Sequence, residues 1–190
     1  LAGQALVGLI VLLQLPLIAI AVGLASLLLV AAYPFMKRIT WWPQAWLGLT
    51  FNWGVPVAYI AATGRVDGVM IVLYAACVLW TLGYDTIYAL QDREDDALIG
   101  IGSSALSMGR HVRAGVTFCY LAALSLWAAA IWLVRGQGLA LAALLPMAAH
   151  LTWQVGTLKE DGIDPLLKFR SNRFAGFLMF LGCLTVGSAA

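Results

Sequence analysis

The sequence predicts an all-α protein, a polytopic transmembrane helix bundle, from its composition and from the length of its uncharged runs. Hydrophobic residues make up 63% of the 190 residues and charged residues only 11%, whereas a soluble domain carries about a quarter charged residues. Each uncharged run is near or above the roughly 17–25 residues that a helix needs to cross a bilayer core. The runs are 1–36, 39–64, 68–84, 114–134, 136–158 and 174–190. Membrane β-strands would instead alternate over about ten residues, a pattern that the sequence lacks.

Proline and glycine residues mark the ends of the predicted helices. A single helix over residues 1–32 would be about 48 Å long, which exceeds a bilayer core of about 30 Å. Pro16 divides this run, because proline favours the first turn of a helix. The predicted helices are 1–13, 16–33, 43–63, 68–91, 112–134, 138–158 and 173–188.

The basic residues are distributed unequally between the two ends of this predicted bundle. When successive loops are assigned to alternate sides, Arg65 and Arg135 fall on one side and the other nine basic residues on the opposite side. Such an excess in short loops predicts that the basic side faces the cytoplasm. Eight of the nine acidic residues, all except Asp67, share that side. The nine basic residues are Lys37, Arg38, Arg93, Arg110, Arg113, Lys159, Lys168, Arg170 and Arg173. The net charge of +2 gives no indication of a nucleic-acid partner.

Carboxylates cluster in the segment YDTIYALQDREDD, residues 84–96, directly after an uncharged run. On a continuous helix, Asp92 and Asp96 would lie about 20° to either side of Asp85 and so share its face. A carboxylate at bilayer depth costs about 2.5–3.5 kcal/mol on insertion scales. A solvated helix end would explain Glu94 and Asp95, but it leaves Asp85 unexplained.

The D-x-x-x-D spacing of Asp92 and Asp96 is typical of a site for a hard cation. Mg²⁺ takes oxygen ligands and usually binds through one or two carboxylates together with substrate phosphates. The residues alone therefore favour a cation site that opens at the basic end of the bundle.

Two segments resemble the UbiA family of intramembrane aromatic prenyltransferases. YDTIYALQDREDDALIGIGSSALSMG is similar to the family's second aspartate-rich signature, and YPFMKRITWWPQ, residues 33–44, is similar to its preceding cytoplasmic loop. The resemblance covers essentially all 190 residues. It implies transfer of a polyprenyl group from polyprenyl diphosphate to the ring of 4-hydroxybenzoate in ubiquinone biosynthesis, with Mg²⁺ as cofactor. It also implies an integral membrane enzyme of the bacterial inner membrane, or of the mitochondrial inner membrane in a eukaryote.

The resemblance implies roles for individual residues. Asp92 and Asp96 match the pair that holds Mg²⁺ on the diphosphate. Lys37 and Arg38 match the loop residues that meet the diphosphate and the aromatic carboxylate, in an order that stays open, and Arg93 matches a further diphosphate contact. The candidate catalytic residues, for a proton or for cation–π stabilisation of an allyl cation, are Tyr84, Asp85 and Tyr88. The remaining substrate-binding candidates are Tyr33, a further aromatic candidate, and Asn52, for which packing between helices is an equally good interpretation.

The chain departs from the family pattern in one respect. The family carries a first motif of the N-D-x-x-D type, whereas no acidic residue precedes Asp67 here. The family fold has nine helices, of which the sequence predicts six to seven. We therefore expect residues 1–190 to be a single, N-terminally incomplete prenyltransferase domain that is inactive alone.

Two alternatives remain open from the sequence. Intramembrane acidic residues also occur in cation-coupled transporters, although these often show inverted repeats, which the chain lacks. The second alternative is a prenyltransferase that uses another aromatic acceptor, such as homogentisate or a naphthoate. Arg38 distinguishes the acceptors, because a benzoate needs a cation for its carboxylate. The roles of His150 and Asn172 also stay open.

Overall fold

The computed structural model describes residues 2–188, and this range contains ten α-helices and no β-strand, which confirms the predicted all-α class. Leu1, the first residue of the predicted helix 1–13, lies outside the described residues. Two 3-10 segments, Gly109–His111 and Gly138–Leu144, precede α8 and α9. The helices are α1 Ala2–Leu12, α2 Leu17–Ile39, α3 Pro43–Phe51, α4 Gly54–Thr63, α5 Gly68–Tyr88, α6 Arg93–Ile99, α7 Ser104–Met108, α8 Val112–Arg135, α9 Leu145–Gly156 and α10 Asp164–Ser188.

Four helical segments of the described chain are long and apolar enough to cross a membrane. They are Leu17–Ile39, Gly68–Tyr88, Ser104–Arg135 and Gly138–Gly156. The composition therefore supports an integral membrane protein, with fewer full-length spans than the six to seven helices predicted from the uncharged runs.

Two predicted helices are interrupted in the structure. The predicted helix 43–63 breaks at Asn52 and Trp53 into α3 and α4. The Asn52 side chain donates to the Gly48 carbonyl, a local bond that competes with the regular helical pattern. The predicted helix 68–91 ends at Tyr88, and a turn separates it from α6. Three acidic residues follow in the first turn of α6, where the helix dipole favours negative charge. Segment 84–96 is therefore not one continuous helix, and the helix predicted to end at residue 91 ends at Tyr88.

Two other helices are longer than predicted. Helix α2 continues past residue 33, through Pro34, to Ile39, so that Tyr33 and Lys37 lie on its last turns. Proline is tolerated in apolar membrane helices, where neighbouring groups satisfy the freed carbonyl. Helix α10 begins at Asp164 rather than at residue 173. The early acidic residue suits a helix N-terminus, and Asn172 therefore lies inside the helix.

Helix α5 is central in the bundle and packs against α3, α4, α8 and α10. Its contact with α8 is close because Gly83 faces the ring of Tyr120, and a Cβ added at Gly83 would lie 2.5 Å from that ring. The buried core beside it includes Ile87 and Trp127. This packing fixes the C-terminal end of α5, where the carboxylates of the 84–96 segment lie.

The loops rich in charge meet at one end of the bundle. Lys37, at the end of α2, pairs with Asp96 of α6. Arg93 lies 3.8 Å from Glu160 in the loop before α10, and Arg113 at the start of α8 donates to the carbonyl of Leu158. The predicted basic and acidic side of the protein is thus a single connected surface, which we call the charged end.

Candidate substrate and metal site

A small cavity of about 90 Å³ at the charged end collects most of the predicted site residues. It lies between the last turns of α2, the start of α3, the end of α5 and the beginning of α6. The predicted residues that line it are Tyr33, Lys37, Asp85, Tyr88, Asp92 and Asp96. The three carboxylates therefore line one cavity, as predicted from their spacing. They do so across the break after α5 and not on one face of a continuous helix.

The Lys37–Asp96 pair is the best-defined polar contact in this cavity. Lys37 Nζ donates to Asp96 Oδ1 over 3.2 Å. The Asp96 side chain is only 5% exposed, whereas that of Lys37 is 45% exposed. Asp96 Oδ2 is buried and has no hydrogen-bond partner. Because most buried polar atoms have a partner, an unpartnered carboxylate oxygen at this position favours a cationic ligand.

Backbone contacts hold the two sides of the cavity together. The amide of Gly102 donates to the Lys37 carbonyl over 2.8 Å, and the amide of Ser104 donates to Gln44 Oε1 over 2.8 Å. A Cβ added at Gly102 would lie 2.4 Å from the carbonyl oxygen of Thr40. The loop after α6 can therefore approach the α2–α3 junction only because residue 102 is glycine.

The donor set fits a magnesium ion that also takes ligands from a substrate. Asp85, Asp92 and Asp96 present carboxylate oxygens to one cavity, and oxygen is the ligand type that Mg²⁺ prefers. Among residues 2–188, no three carboxylate, histidine or cysteine side chains are close enough to hold one ion by themselves. An ion here would therefore be held by one or two carboxylates and completed by other oxygens, as is usual for Mg²⁺ bound to phosphates.

Tyr84 lines a neighbouring, larger cavity rather than the cavity of the carboxylates. This second cavity, of about 490 Å³, is bounded by α3, α5 and α10. Tyr84 packs edge-on against Trp80 with ring centroids 5.2 Å apart. The ring of Phe169 lies 5.8 Å from Tyr84 and 4.5 Å from Tyr88. Phe169 thus stands between the two cavities, and we call the larger one the aromatic cavity.

Arg93 and Arg38 lie outside both of these cavities. Arg93 lines a third, wider cavity of about 570 Å³ together with Glu94, Asp95 and Glu160. Its guanidinium lies 3.8 Å from the Glu160 carboxylate. Arg38 is exposed and forms no ion pair with any residue in the described range. The structure therefore brings Lys37, and not the two arginines, against the carboxylates.

Asn52 is a hydrogen-bond link between helices. Its amide nitrogen lies 2.8 Å from the Gly48 carbonyl, 3.2 Å from the Cys77 carbonyl and 2.7 Å from Thr81 Oγ1. These contacts join the break between α3 and α4 to α5, and Asn52 lines neither the carboxylate cavity nor the aromatic cavity. Of the two interpretations open from the sequence, the geometry favours packing between helices.

His150 and Asn172 also make contacts between and within helices. His150 Nε2 lies 3.2 Å from Ser171 Oγ and 3.1 Å from Gln154 Nε2. Asn172 accepts from Trp80 Nε1 over 3.1 Å and lines the aromatic cavity. His150 is therefore part of the packing between α9 and α10, whereas Asn172 borders a space that a ligand can enter.

Gln44 and Phe169 are cavity residues that were not predicted from the sequence as site residues. Gln44 is buried and lines the carboxylate cavity. It is the last residue of the YPFMKRITWWPQ segment, so its position in that segment was an available signal. Phe169 has no such signal, because it lies more than 70 residues from the acidic segment and meets it only through the packing of α10 on α5.

Comparison with known proteins assigns the chain to a family. The model of the UbiA prenyltransferase family matches residues 1–184. The 4-hydroxybenzoate polyprenyltransferase of Mus musculus mitochondria is 48% identical over 191 aligned residues, covering 96% of this chain and 49% of the mouse protein. The protein of the same name from Homo sapiens is 47% identical, covering 96% of this chain and 50% of the human protein. The Arabidopsis thaliana protein is 41% identical, with 94% and 44% covered.

The chain spans about half the length of these curated relatives. No solved structure matches it significantly. The family model nevertheless covers nearly the whole chain, and the carboxylates, Lys37 and Gln44 of the matching region meet at one cavity. The chain belongs to the UbiA prenyltransferase family.

Proposed function

We propose that this chain supplies the second acidic motif and the facing lysine of a 4-hydroxybenzoate polyprenyltransferase acting in ubiquinone biosynthesis. The observation that carries the proposal is the shared cavity, which is lined by Lys37 and by the carboxylates Asp85, Asp92 and Asp96 and in which one oxygen of Asp96 is buried and unpartnered. The names of the relatives provide the substrate class.

We assign the diphosphate of the prenyl donor to the carboxylate cavity. Asp92 and Asp96 would hold a magnesium ion there, and Lys37 would contact the diphosphate directly. When bound, Mg²⁺ supplies charge neutralisation for the departing pyrophosphate. Lys37 adds electrostatic stabilisation at the oxygens where negative charge grows as the C–O bond breaks. The prenyl chain then extends into lipid or along apolar walls.

We assign the allylic carbon of the prenyl donor, which loses the diphosphate, to the border of the aromatic cavity. Tyr84, Tyr88 and Phe169 form a connected set of rings between the two cavities. An allyl cation beside such rings gains about 0.5–2 kcal/mol from each cation–π contact. The ring carbon of 4-hydroxybenzoate forms the new C–C bond as the C–O bond to pyrophosphate breaks. We assign Asp85 as the acceptor of the phenolic proton, and the substituted ring carbon then loses its own proton, which returns to the phenolic oxygen as the ring becomes aromatic again.

Recognition of the acceptor's carboxylate requires a cation other than Lys37. Arg170 and Arg173 line the aromatic cavity, whereas Arg38 is exposed on the last turn of α2. We assign this contact to Arg38, which the family resemblance implies. The charge asymmetry between the ends of the bundle further supports a site that opens to the cytoplasm, or to the equivalent side of the mitochondrial inner membrane.

The experiment uses a chimera, because the chain spans about half of its relatives. Residues 1–190 replace the matching region of the Mus musculus relative, and the chimera is assayed in membranes with 4-hydroxybenzoate, a polyprenyl diphosphate and Mg²⁺. We expect prenylation by the chimera and none by this chain alone, because the chain has no N-D-x-x-D motif.

Asp92→Asn in the chimera should lower turnover by more than about 100-fold, because charge stabilisation by a metal is worth several kcal/mol. The matched control is Asp95→Asn, which removes the same charge from a residue of the third cavity and should leave turnover within about twofold, as expected for an exposed charge. Equal activities of the two variants would contradict the assignment.

A further inference from the structure

We propose that the end of the bundle opposite the charged end binds an anionic phospholipid, with its headgroup at Arg135 and one acyl chain in an adjoining apolar groove. This inference is independent of the proposed function. It rests on two cavities that share Arg135 as a common wall, and neither is part of the site described above.

The apolar groove lies between three helices. It has a volume of about 420 Å³ and is lined on α5 by Val69 and Leu73, on α8 by Ile131 and Val134, and on α10 by Met179 and Cys183. The lining of α10 extends over nine residues, from Met179 to Gly187, which is about 12 Å along a helix axis. The groove begins at the ends of these helices and runs parallel to them. It therefore has the direction of an acyl chain in a bilayer, along the membrane normal.

The second cavity provides the polar part of the site. It has a volume of about 330 Å³ and lies between the end of α8, the 3-10 segment before α9 and the end of α10. Arg135 and Gln137 are its polar residues on the α8 side. Arg135 is the last residue of α8 and therefore lies at the depth of the membrane surface, where lipid headgroups are found.

In the described part of the chain, the guanidinium of Arg135 has no acidic partner, and one hydrogen bond leaves most of its N–H donors available. Its Nη2 donates to the carbonyl of Val186 near the end of α10. No carboxylate within residues 2–188 lies within 4.0 Å of the guanidinium. A guanidinium has five N–H donors and pairs with phosphate in a bidentate manner. A half-buried arginine at the top of an acyl-sized groove, without an acidic partner in the described chain, therefore complements a phosphodiester.

The alternative is that Arg135 only caps α10. Arginine side chains commonly bond the last carbonyls of a helix, and the contact with Val186 is of this kind. A cap alone predicts that the loss of Arg135 changes stability without changing which lipids are retained. The two interpretations therefore separate in a measurement of lipid binding.

The test is native mass spectrometry of the purified chain in detergent, with added phosphatidylglycerol or phosphatidylcholine of the same acyl composition. We expect the wild type to retain phosphatidylglycerol over phosphatidylcholine by about fivefold, the preference expected for one basic residue near an anionic headgroup. Arg135→Gln should reduce this preference to about one. Arg65→Gln is the matched control, because Arg65 is the other basic residue of this end, is exposed and lines neither cavity; its preference should equal that of the wild type.

A second variant tests the groove itself. Cys183 is exposed and lines the groove, so Cys183→Trp should fill it and reduce retention of both lipids. Circular dichroism and gel filtration establish that each variant is folded. The wild type is decisive even if a variant fails to fold, since equal retention of the two lipids by the wild type would overturn the proposal. Retention of phosphatidylglycerol by a folded Arg135→Gln protein at the wild-type level would also overturn it, and would leave Arg135 as a cap.

Discussion

Asp96 is a buried carboxylate of which only one oxygen is satisfied within the described residues. Its Oδ1 accepts from Lys37, and its Oδ2 has no partner. Burying a carboxylate is costly unless it is paired and hydrogen-bonded, so the arrangement is expected to gain stability from a cation. Lys37 lies half-exposed beside the same cavity, where it can contact a second anion. At the scale of single residues, these two side chains define the candidate site.

Replacing Lys37 tests its contact with the diphosphate. Lys37→Met in the chimera should raise KM for polyprenyl diphosphate by about tenfold or more, because a hydrogen bond to a charged group is worth about 1.5–3 kcal/mol. Lys37→Arg should be intermediate, since it keeps the charge. The control Lys159→Met removes an exposed lysine of the same end and should leave KM unchanged. An unaltered KM in Lys37→Met would exclude Lys37 from diphosphate binding.

Helix α5 carries a functional segment at one end and a structural cap at the other. At its N-terminus, Asp67 accepts from the amides of Val69 and Met70 over 3.0 and 3.2 Å. The Tyr59 hydroxyl of α4 also donates to Asp67, at 2.9 Å from each carboxylate oxygen. Such a cap fixes the start of the helix. The position of Asp85, almost five turns further along, depends on that start.

Acidification should weaken this cap. The hydrogen bond from Tyr59 lowers the pKa of Asp67 below its usual value of 3.8, with help from the two amides. A folded-state pKa below the unfolded one adds stability that is present above pH 3.8 and is lost as pH falls through the lowered value. Asp67→Asn keeps a good capping residue but cannot titrate.

The measurement is the thermal unfolding midpoint in detergent as a function of pH. The difference between wild type and Asp67→Asn should be constant near neutral pH and should shrink below pH 3.8. Tyr59→Phe removes the main cause of the lowered Asp67 pKa. In a Tyr59→Phe background, the effect of Asp67→Asn on the unfolding midpoint should therefore depend much less on pH. A difference between wild type and Asp67→Asn that is independent of pH would show that Asp67 does not titrate abnormally in the folded protein.

At the scale of the whole molecule, charge divides the bundle into two unlike ends. The order of the loops assigns nine of the eleven basic residues to the charged end, and Arg65 and Arg135 to the other end. Such an asymmetry in short loops determines membrane orientation. The candidate site then faces the basic side, and the proposed lipid site lies in the opposite leaflet.

Cysteine labelling in intact bacterial cells tests this orientation. In a Cys183→Ser background, Arg65→Cys should react with a membrane-impermeant maleimide added outside. Lys159→Cys should react only after permeabilisation if the charged end faces the cytoplasm, as the distribution of basic residues predicts. Both positions are exposed loop residues, so accessibility to reagent is the only expected difference. The reverse pattern of labelling would invert the proposed topology.

The helices were largely predictable because they depend on local sequence. Helix ends lie close to three signals that act on adjacent residues: Pro16 before α2, Gly136 after α8 and the end of the uncharged run before Asp85. Ser103 caps α7 by accepting from the Leu106 amide, another local interaction. The exceptions are the break at Asn52, where the side chain bonds to the Gly48 carbonyl, and the turn after Tyr88.

The sequence by itself determined the class of the protein, the length of its apolar helices and the set of charged residues gathered near one end, because these follow from composition and from spacing along a helix. Only the tertiary structure decided which charges face each other. It placed Lys37 rather than Arg93 against Asp96, turned Arg93 towards Glu160, and brought Phe169 between the two cavities. The reason is that such contacts depend on how helices distant in sequence pack together, and side-chain spacing within one helix carries no information about its neighbours.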